Sequence, residues 1–132
     1  LTSGRIAGVQ ALSGTGSLRI GGDFYSAFVG AGTPLYCSSP TWGNHVGIMS
    51  KAGLDVRRYR YFDKDTKGLD FKGMLEDIQT APEGSIFLIH ACAHNPTGVD
   101  PTREQWADIR AALAAGKHNK LQMVGNTVLQ KG

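Results

Sequence analysis

The chain has 132 residues, of which 41% are hydrophobic and 19% charged, and its formal net charge is +3 at pH 7. This length fits one domain, and the composition is typical of a folded globular protein and excludes a disordered one. The basic residues are scattered, and no apolar stretch approaches the roughly 18 residues that cross a bilayer, so we expect neither a nucleic-acid nor a membrane partner.

The first half of the chain alternates between extended and helical patterns. Residues 8–12 (GVQAL) are expected to be extended, and the turn SGTG leads from them into a helix over about 17–28. A strand is expected at 33–39. A helix over about 44–52 follows it, with Gly53 as the C-terminal stop.

The second half repeats this alternation. Strands are expected at 55–62 and 85–91, and helices at 70–80 and 101–115. The run SIFLIHA (85–91) is the most apolar, which suits a strand covered on both faces. Asp70 is the expected N-cap of the first of these helices, and Pro101 suits the first turn of the second. The segment KLQMVGN could form one more strand.

Strands that alternate with helices of about ten residues predict an α/β fold with a mostly parallel sheet. Ligands of such sheets bind at the C-terminal ends of the strands. Three polar clusters each follow a predicted strand: SGTG (13–16), SSPTWGNH (38–45) and HACAHNPTG (90–98). We therefore expect them to gather at one edge of the sheet.

The first two clusters have a ligand-binding and a structural interpretation each. Glycines and free N–H groups at a helix start attract an anion, and Ser13 and Thr15 could add hydroxyl donors. The same segment could also be an ordinary N-cap. Trp42 could stack on a planar ligand or close the core beneath a loop. Trp106 has the spacing of a helix packing residue.

The third cluster would place His90, Cys92 and His94 on one face of a strand. A zinc site would need a further ligand in reach, so we do not favour a metal; His90 and Cys92 could instead satisfy buried backbone groups. Asn95 precedes a proline, which holds it extended and permits a cis bond, so that its amide could donate to an oxyanion. A hydrolase is not favoured, because no G-x-S-x-G motif is present and Cys92 lies in an apolar run.

The cysteines and the first residue bear on the origin of the chain. Cys37 and Cys92 have no repeating spacing, so we expect reduced thiols in an intracellular protein. We expect no signal peptide, and the start at Leu1 suggests a piece of a longer protein.

Four segments in this order resemble the aspartate aminotransferases, class-I pyridoxal-phosphate-dependent enzymes of fold type I: LSGTGSLRIGGDF, SSPTWGNHVGI, YRYFDKDTKGLDF and EDIQTAPEGSIFLIHACAHNPTGVDPTREQW. The resemblance runs from about Gly8 to Ile109. It implies that residues 1–115 are part of the large, cofactor-binding domain of that α/β fold, and that residues 116–132 are a divergent tail. It also implies small dicarboxylate amino and keto acids as substrates, and a homodimer for the full-length enzyme.

The same resemblance assigns roles to individual residues. Ser13, Gly14 and Thr15 match the turn that binds the cofactor phosphate. Trp42 matches the tryptophan that stacks on the pyridine ring and borders the substrate carboxylate. Asn95 matches the asparagine that hydrogen-bonds the phenolic oxygen of the cofactor and the α-carboxylate of the substrate. His45 matches a histidine that supports the carboxylate facing the pyridine nitrogen, and His90 is expected beside it.

The family pattern is not complete in this chain. The family takes an aspartate and a tyrosine from a segment like F-F-D-x-A-Y after the Q-W helix, whereas this chain continues AAGKHNKLQMVGN. None of its lysines lies in a context like S-x-S-K-N, so no catalytic residue is assigned and the Schiff-base lysine is expected to be absent. Two hypotheses follow: a fragment of an aspartate aminotransferase, inactive alone, or a truncated, non-catalytic paralogue that binds a phosphate ligand or the full-length enzyme.

Overall fold

The computed structural model describes Gly4 and residues 7–123 of the chain. Within this part, four helices lie at α1 Ser13–Phe28, α2 Asn44–Lys51, α3 Phe71–Thr80 and α4 Arg103–Ala115. Six strands lie at β1 Pro34–Ser39, β2 Asp55–Arg60, β3 Phe62–Asp63, β4 Gly68–Leu69, β5 Ile86–His90 and β6 Asn119–Met123. None of the described helices is long and apolar enough to cross a membrane.

The main sheet has the strand order β2-β1-β5-β6, and every neighbouring pair is parallel. The predicted α/β fold with alternating helices and a parallel sheet is therefore confirmed. The short strands β3 and β4 form an antiparallel pair of their own, which the sequence patterns did not predict. The pair makes the connection between β2 and α3, and Asp70 caps α3 by accepting from the N–H of Gly73 at 2.9 Å.

The helices cover both faces of the sheet, as the apolar run of β5 requires. One buried cluster joins β1 and β5 to α1 and α2 and includes Leu18, Leu35, Met49 and Leu88. The cluster on the opposite face joins β2 and β5 to α3 and α4 and includes Tyr59, Ile78, Phe87 and Ile109. All five residues of β5 are buried, and Trp106 packs against the second cluster, which is the structural role expected for it.

The start of the chain departs from prediction. Residues 8–12 belong to no strand, and SGTG is the first turn of α1 instead of a turn before it. The N–H of Gly16 donates to the Leu12 carbonyl at 3.0 Å, and the Ser17 hydroxyl donates to the Ser13 carbonyl at 2.8 Å. A glycine in a helix costs about 1 kcal/mol relative to alanine. These helical contacts and the packing of Leu18 outweigh that cost.

One further prediction needs correction near the last helix. Pro101 lies before α4 and not in its first turn, because Thr102 is the N-cap and forms a reciprocal capping box with Gln105. The segment after residue 115 includes β6, which pairs with β5 along its whole length. The strand expected in KLQMVGN is thus present up to Met123, and residues 124–132 lie outside the described residues.

Candidate functional site

A cleft of about 460 Å³ lies where β5 and β6 end. It is lined by Ser13, Gly14, Thr15, Trp42, His45, His90, Cys92, Ala93, Asn95 and Met123. The structure thus brings together the seven residues to which the family resemblance assigns a role: Ser13, Gly14, Thr15, Trp42, His45, His90 and Asn95. Only two of the three clusters follow strands; the third reaches the cleft on the first turn of α1.

The N-terminus of α1 forms one side of the cleft. The first N–H groups of a helix lack intrahelical acceptors and carry partial positive charge. Ser13, Gly14 and Thr15 supply three of these positions, and no acidic side chain in the first turn offsets the charge. The segment is therefore suited to an anion, with two hydroxyl groups as additional donors.

The indole of Trp42 forms a second side. The indole is half-buried and meets the imidazole of His45 edge-on, with ring centroids 5.3 Å apart. His45 is fully buried at the start of α2. Its Nδ1 lies 2.7 Å from the Thr41 hydroxyl, and its Nε2 lies 3.2 Å from the Sδ of Met123. The indole also packs against the buried cluster that includes Leu18 and Met49, so it closes part of the core as well as lining the cleft.

The loop after β5 forms the third side. Its Asn95–Pro96 bond is cis, as is the Ser39–Pro40 bond after β1. The backbone N–H of Asn95 donates to the Nδ1 of His90 at 3.1 Å, and Asn95 itself is exposed at the cleft. The Asp100 carboxylate accepts from the N–H of Ala93 and of His94 at 2.7 and 3.0 Å. These bonds fix the loop that carries the asparagine.

His94 does not share a strand face with His90 and Cys92, because β5 ends at His90 and the chain then turns. Its Nε2 lies 2.8 Å from the Ser38 hydroxyl and its Nδ1 lies 2.7 Å from the Thr97 hydroxyl. Its ring also stacks on Tyr61 at a centroid distance of 3.9 Å. His94 therefore stabilises the loop through contacts with its buried side. Across the described residues, no group of three His, Cys, Asp or Glu side chains could hold a metal ion.

The histidines beneath the cleft are neutral at physiological pH. Burial, with His90 and the cation of Arg58 adding to it, lowers the pKa of His45 to about 4. Burial, together with His90, also lowers the pKa of His94 to about 4 against the opposing effect of Asp100. Burial lowers the pKa of His90 as well, again opposed by Asp100.

Sequence reasoning missed Met123, Thr41 and Asp100 as parts of this site. Thr41 and Asp100 act on the histidines and on the loop backbone, so only the folded contacts reveal them. Met123 lies 78 residues from its contact His45. The sequence shows that KLQMVGN contains no aspartate, but it does not show that Met123 lies in the cleft against His45.

Comparison with known proteins agrees with this geometry. A family model for aminotransferase class I and II matches residues 1–119. A cytoplasmic aspartate aminotransferase of Oryza sativa is 58% identical over 109 residues, which are 83% of this chain and 26% of the relative. A mitochondrial aspartate aminotransferase of Schizosaccharomyces pombe is 53% identical over 86% of this chain and 26% of the relative. The chain thus spans about a quarter of the length of these curated relatives.

Solved structures show the same likeness. An aspartate aminotransferase from Trypanosoma cruzi superposes with a TM-score of 0.85 and 51% identity, over 86% of this chain and 29% of that one. An aromatic-amino-acid aminotransferase from Burkholderia pseudomallei, covalently bound to pyridoxal phosphate, has a TM-score of 0.82 and 38% identity, over 85% of this chain and 28% of that one. The fold is therefore that of fold-type-I aminotransferases, and the chain belongs to the class I and II aminotransferase family.

Proposed function

We propose that this chain is part of an aspartate aminotransferase and forms the phosphate-binding side and one wall of its pyridoxal 5′-phosphate site. The whole enzyme would transfer an amino group between L-aspartate and 2-oxoglutarate, giving oxaloacetate and L-glutamate. Family membership and the activity of its relatives support this proposal. The observation that carries it is that a helix N-terminus, an indole and an amide line one cleft.

Each side of the cleft suits one part of the cofactor. The N–H groups and hydroxyls of Ser13, Gly14 and Thr15 would hold the phosphate. The indole of Trp42 would stack on the flat pyridine ring and border the carboxylate of the substrate. The amide of Asn95 would hydrogen-bond the phenolic oxygen and the substrate carboxylate. His45 and His90 would support the ring from beneath.

The bound cofactor supplies an electron sink for the amino acid, and the residues of this chain hold and orient it. Among the described residues no lysine lines the cleft, so amino-group transfer is proposed for a longer protein that provides one. We do not expect the chain to transaminate by itself. For the complete enzyme we propose a homodimer in an intracellular compartment; the relatives named above include cytoplasmic and mitochondrial forms.

Of the two hypotheses raised by the sequence, the relatives favour the first. Those reported above are all aminotransferases, and the identity extends over more than four-fifths of this chain. Nothing in them points to a non-catalytic paralogue. The pocket-forming residues are present in the chain, which makes binding of the cofactor the property to test.

The experiment is a binding titration of the 132-residue chain with pyridoxamine 5′-phosphate, whose amine cannot condense with lysines. Thr15→Val removes one hydroxyl at constant shape, and Asn95→Ala removes the amide. Each is expected to weaken binding about tenfold, the effect of a lost hydrogen bond to a charged group. Thr80→Val, an exposed helical position away from the cleft, is the matched control. Equal affinities for all four proteins would refute the proposed site.

A further inference from the structure

A thioether lies in the cleft where the family resemblance implies a carboxylate. In the register of the sheet Met123 is the partner of His90, and its Sδ lies 3.2 Å from the Nε2 of His45. His45 matches the histidine that supports the carboxylate facing the pyridine nitrogen. A thioether has no charge and accepts only weak hydrogen bonds. This end of the cleft therefore differs in kind from the family pattern.

The neighbouring histidine adds a donor to this part of the cleft. The Nδ1 of His90 accepts the N–H of Asn95, so the ring proton of the neutral imidazole is on Nε2. That Nε2 is buried and has no hydrogen-bond partner among the described residues. An unprotonated pyridine nitrogen could accept from such a group. A protonated ring nitrogen would instead need an acceptor.

No residue that lines the cleft in the described chain is acidic. Arg58 is the cation that acts on His45, and Asp100 is the carboxylate that acts on His90 and His94. Asp100 is already engaged by two backbone N–H groups of the loop. Whatever the orientation of a ring in the cleft, its nitrogen has no lining carboxylate to stabilise a positive charge.

We infer that Met123 makes this cleft a site for the cofactor with its pyridine nitrogen unprotonated, an inference that rests on the proposed function. The phosphate, the ring face and the phenolic oxygen of the cofactor keep the partners proposed above, so the cofactor still binds. An unprotonated ring withdraws electrons less strongly than a pyridinium. The chain thus retains the recognition of the cofactor and weakens its electron sink.

The test is the ¹⁵N resonance of ring-labelled pyridoxamine 5′-phosphate bound to the 132-residue chain at neutral pH. In the wild type we expect the resonance of a pyridine. Met123→Asp is expected to shift the resonance to that of a pyridinium. Met123→Asn introduces a neutral side chain of the same shape as aspartate and should leave the resonance that of a pyridine. Met123 is only half-buried, so either side chain can be accommodated.

A second measurement compares affinities. The Asp variant should bind the compound about tenfold more tightly than the Asn variant, because a charge-assisted bond replaces a neutral one. A pyridinium resonance in the bound wild type would overturn the inference and leave the proposed site intact. Equal resonances and affinities in the Asp and Asn variants would overturn the position given to residue 123. Failure of every protein to bind the compound would overturn the proposed function itself, and the inference with it.

Discussion

Three imidazoles lie in a row beneath the cleft, and their burial shapes both the site and the stability of the chain. The rings of His45 and His90 are 5.3 Å apart, and those of His90 and His94 are 4.4 Å apart. A proton on any one of them would be a buried charge beside two neighbouring rings. The folded chain therefore favours neutral imidazoles, and hydroxyl groups lie within hydrogen-bond distance of two of them, His45 and His94.

This arrangement predicts that the chain loses stability in mild acid. His45 and His94 have a pKa of about 4 in the folded chain, below their ordinary value of 6.5. From 6.5 downward the unfolded chain therefore binds more protons than the folded one, so stability is fully present above that pH and is lost as the pH falls towards 4. The free energy of unfolding should fall by up to about 1.4 kcal/mol per pH unit for each excess proton.

Urea unfolding at a series of pH values measures this slope. His45→Gln retains a polar side chain and removes one depressed pKa, so its stability should depend less steeply on pH than that of the wild type. An unfolding free energy that stays constant from about pH 7 to about pH 5 would contradict the neutral cluster.

At the scale of elements, the packing of α1 on α2 depends on a glycine. A Cβ added at Gly22 would lie 2.9 Å from the Cβ of Ala52 and 3.1 Å from the Sδ of Met49. Gly22→Ala is therefore expected to destabilise the chain by about 1–3 kcal/mol through overpacking. Gly47→Ala is the matched control within α2, where an added Cβ meets no atom within 4 Å. There alanine should raise stability by up to about 1 kcal/mol.

Thermal unfolding of the two variants beside the wild type separates these effects. Opposite shifts of the midpoint would support close contact between the two helices. A gain in stability for Gly22→Ala similar to that for Gly47→Ala would show that the helices do not approach as described.

The elements that the sequence predicts well are those whose signals are local. The apolar run of β5, the Asp70 cap and the stop at Gly53, whose φ is +86°, each follow from a few adjacent residues. The start of α1 was missed because glycine disfavours helix locally, while the hydrogen bonds of this turn and the packing of Leu18 stabilise it in the folded chain. The same holds for the site. Its lining residues follow from motifs, but the contact between Met123 and His45 depends on the order of strands in the sheet.

At the scale of the whole molecule, the described chain leaves open an apolar stripe, a cavity of mixed lining and two strand edges. Ile20, Phe24 and Phe28 form a stripe at four-residue spacing along α1, and Phe28 is 77% exposed. On the other face, a cavity of about 390 Å³ lies beside α4 and β6, and its lining combines Trp106 with the cations Arg110 and Lys120. In the described sheet β2 and β6 are edge strands. Charged side chains on an edge strand discourage pairing with another chain. On β2 these are Arg57, paired with Asp55, and Arg60, paired with Glu76 and Asp77.

These surfaces predict that the chain, expressed by itself, forms oligomers or is poorly soluble. Light scattering after size-exclusion chromatography at increasing concentration measures this. Phe24→Glu with Phe28→Lys places an i,i+4 ion pair on the α1 stripe without changing the net charge and should shift the chain towards monomer. Ala111→Glu with Ala115→Lys, at exposed positions of α4, makes the same pair elsewhere and should not. A monodisperse wild-type monomer, or equal behaviour of the two double variants, would rule out the α1 stripe as the cause of association.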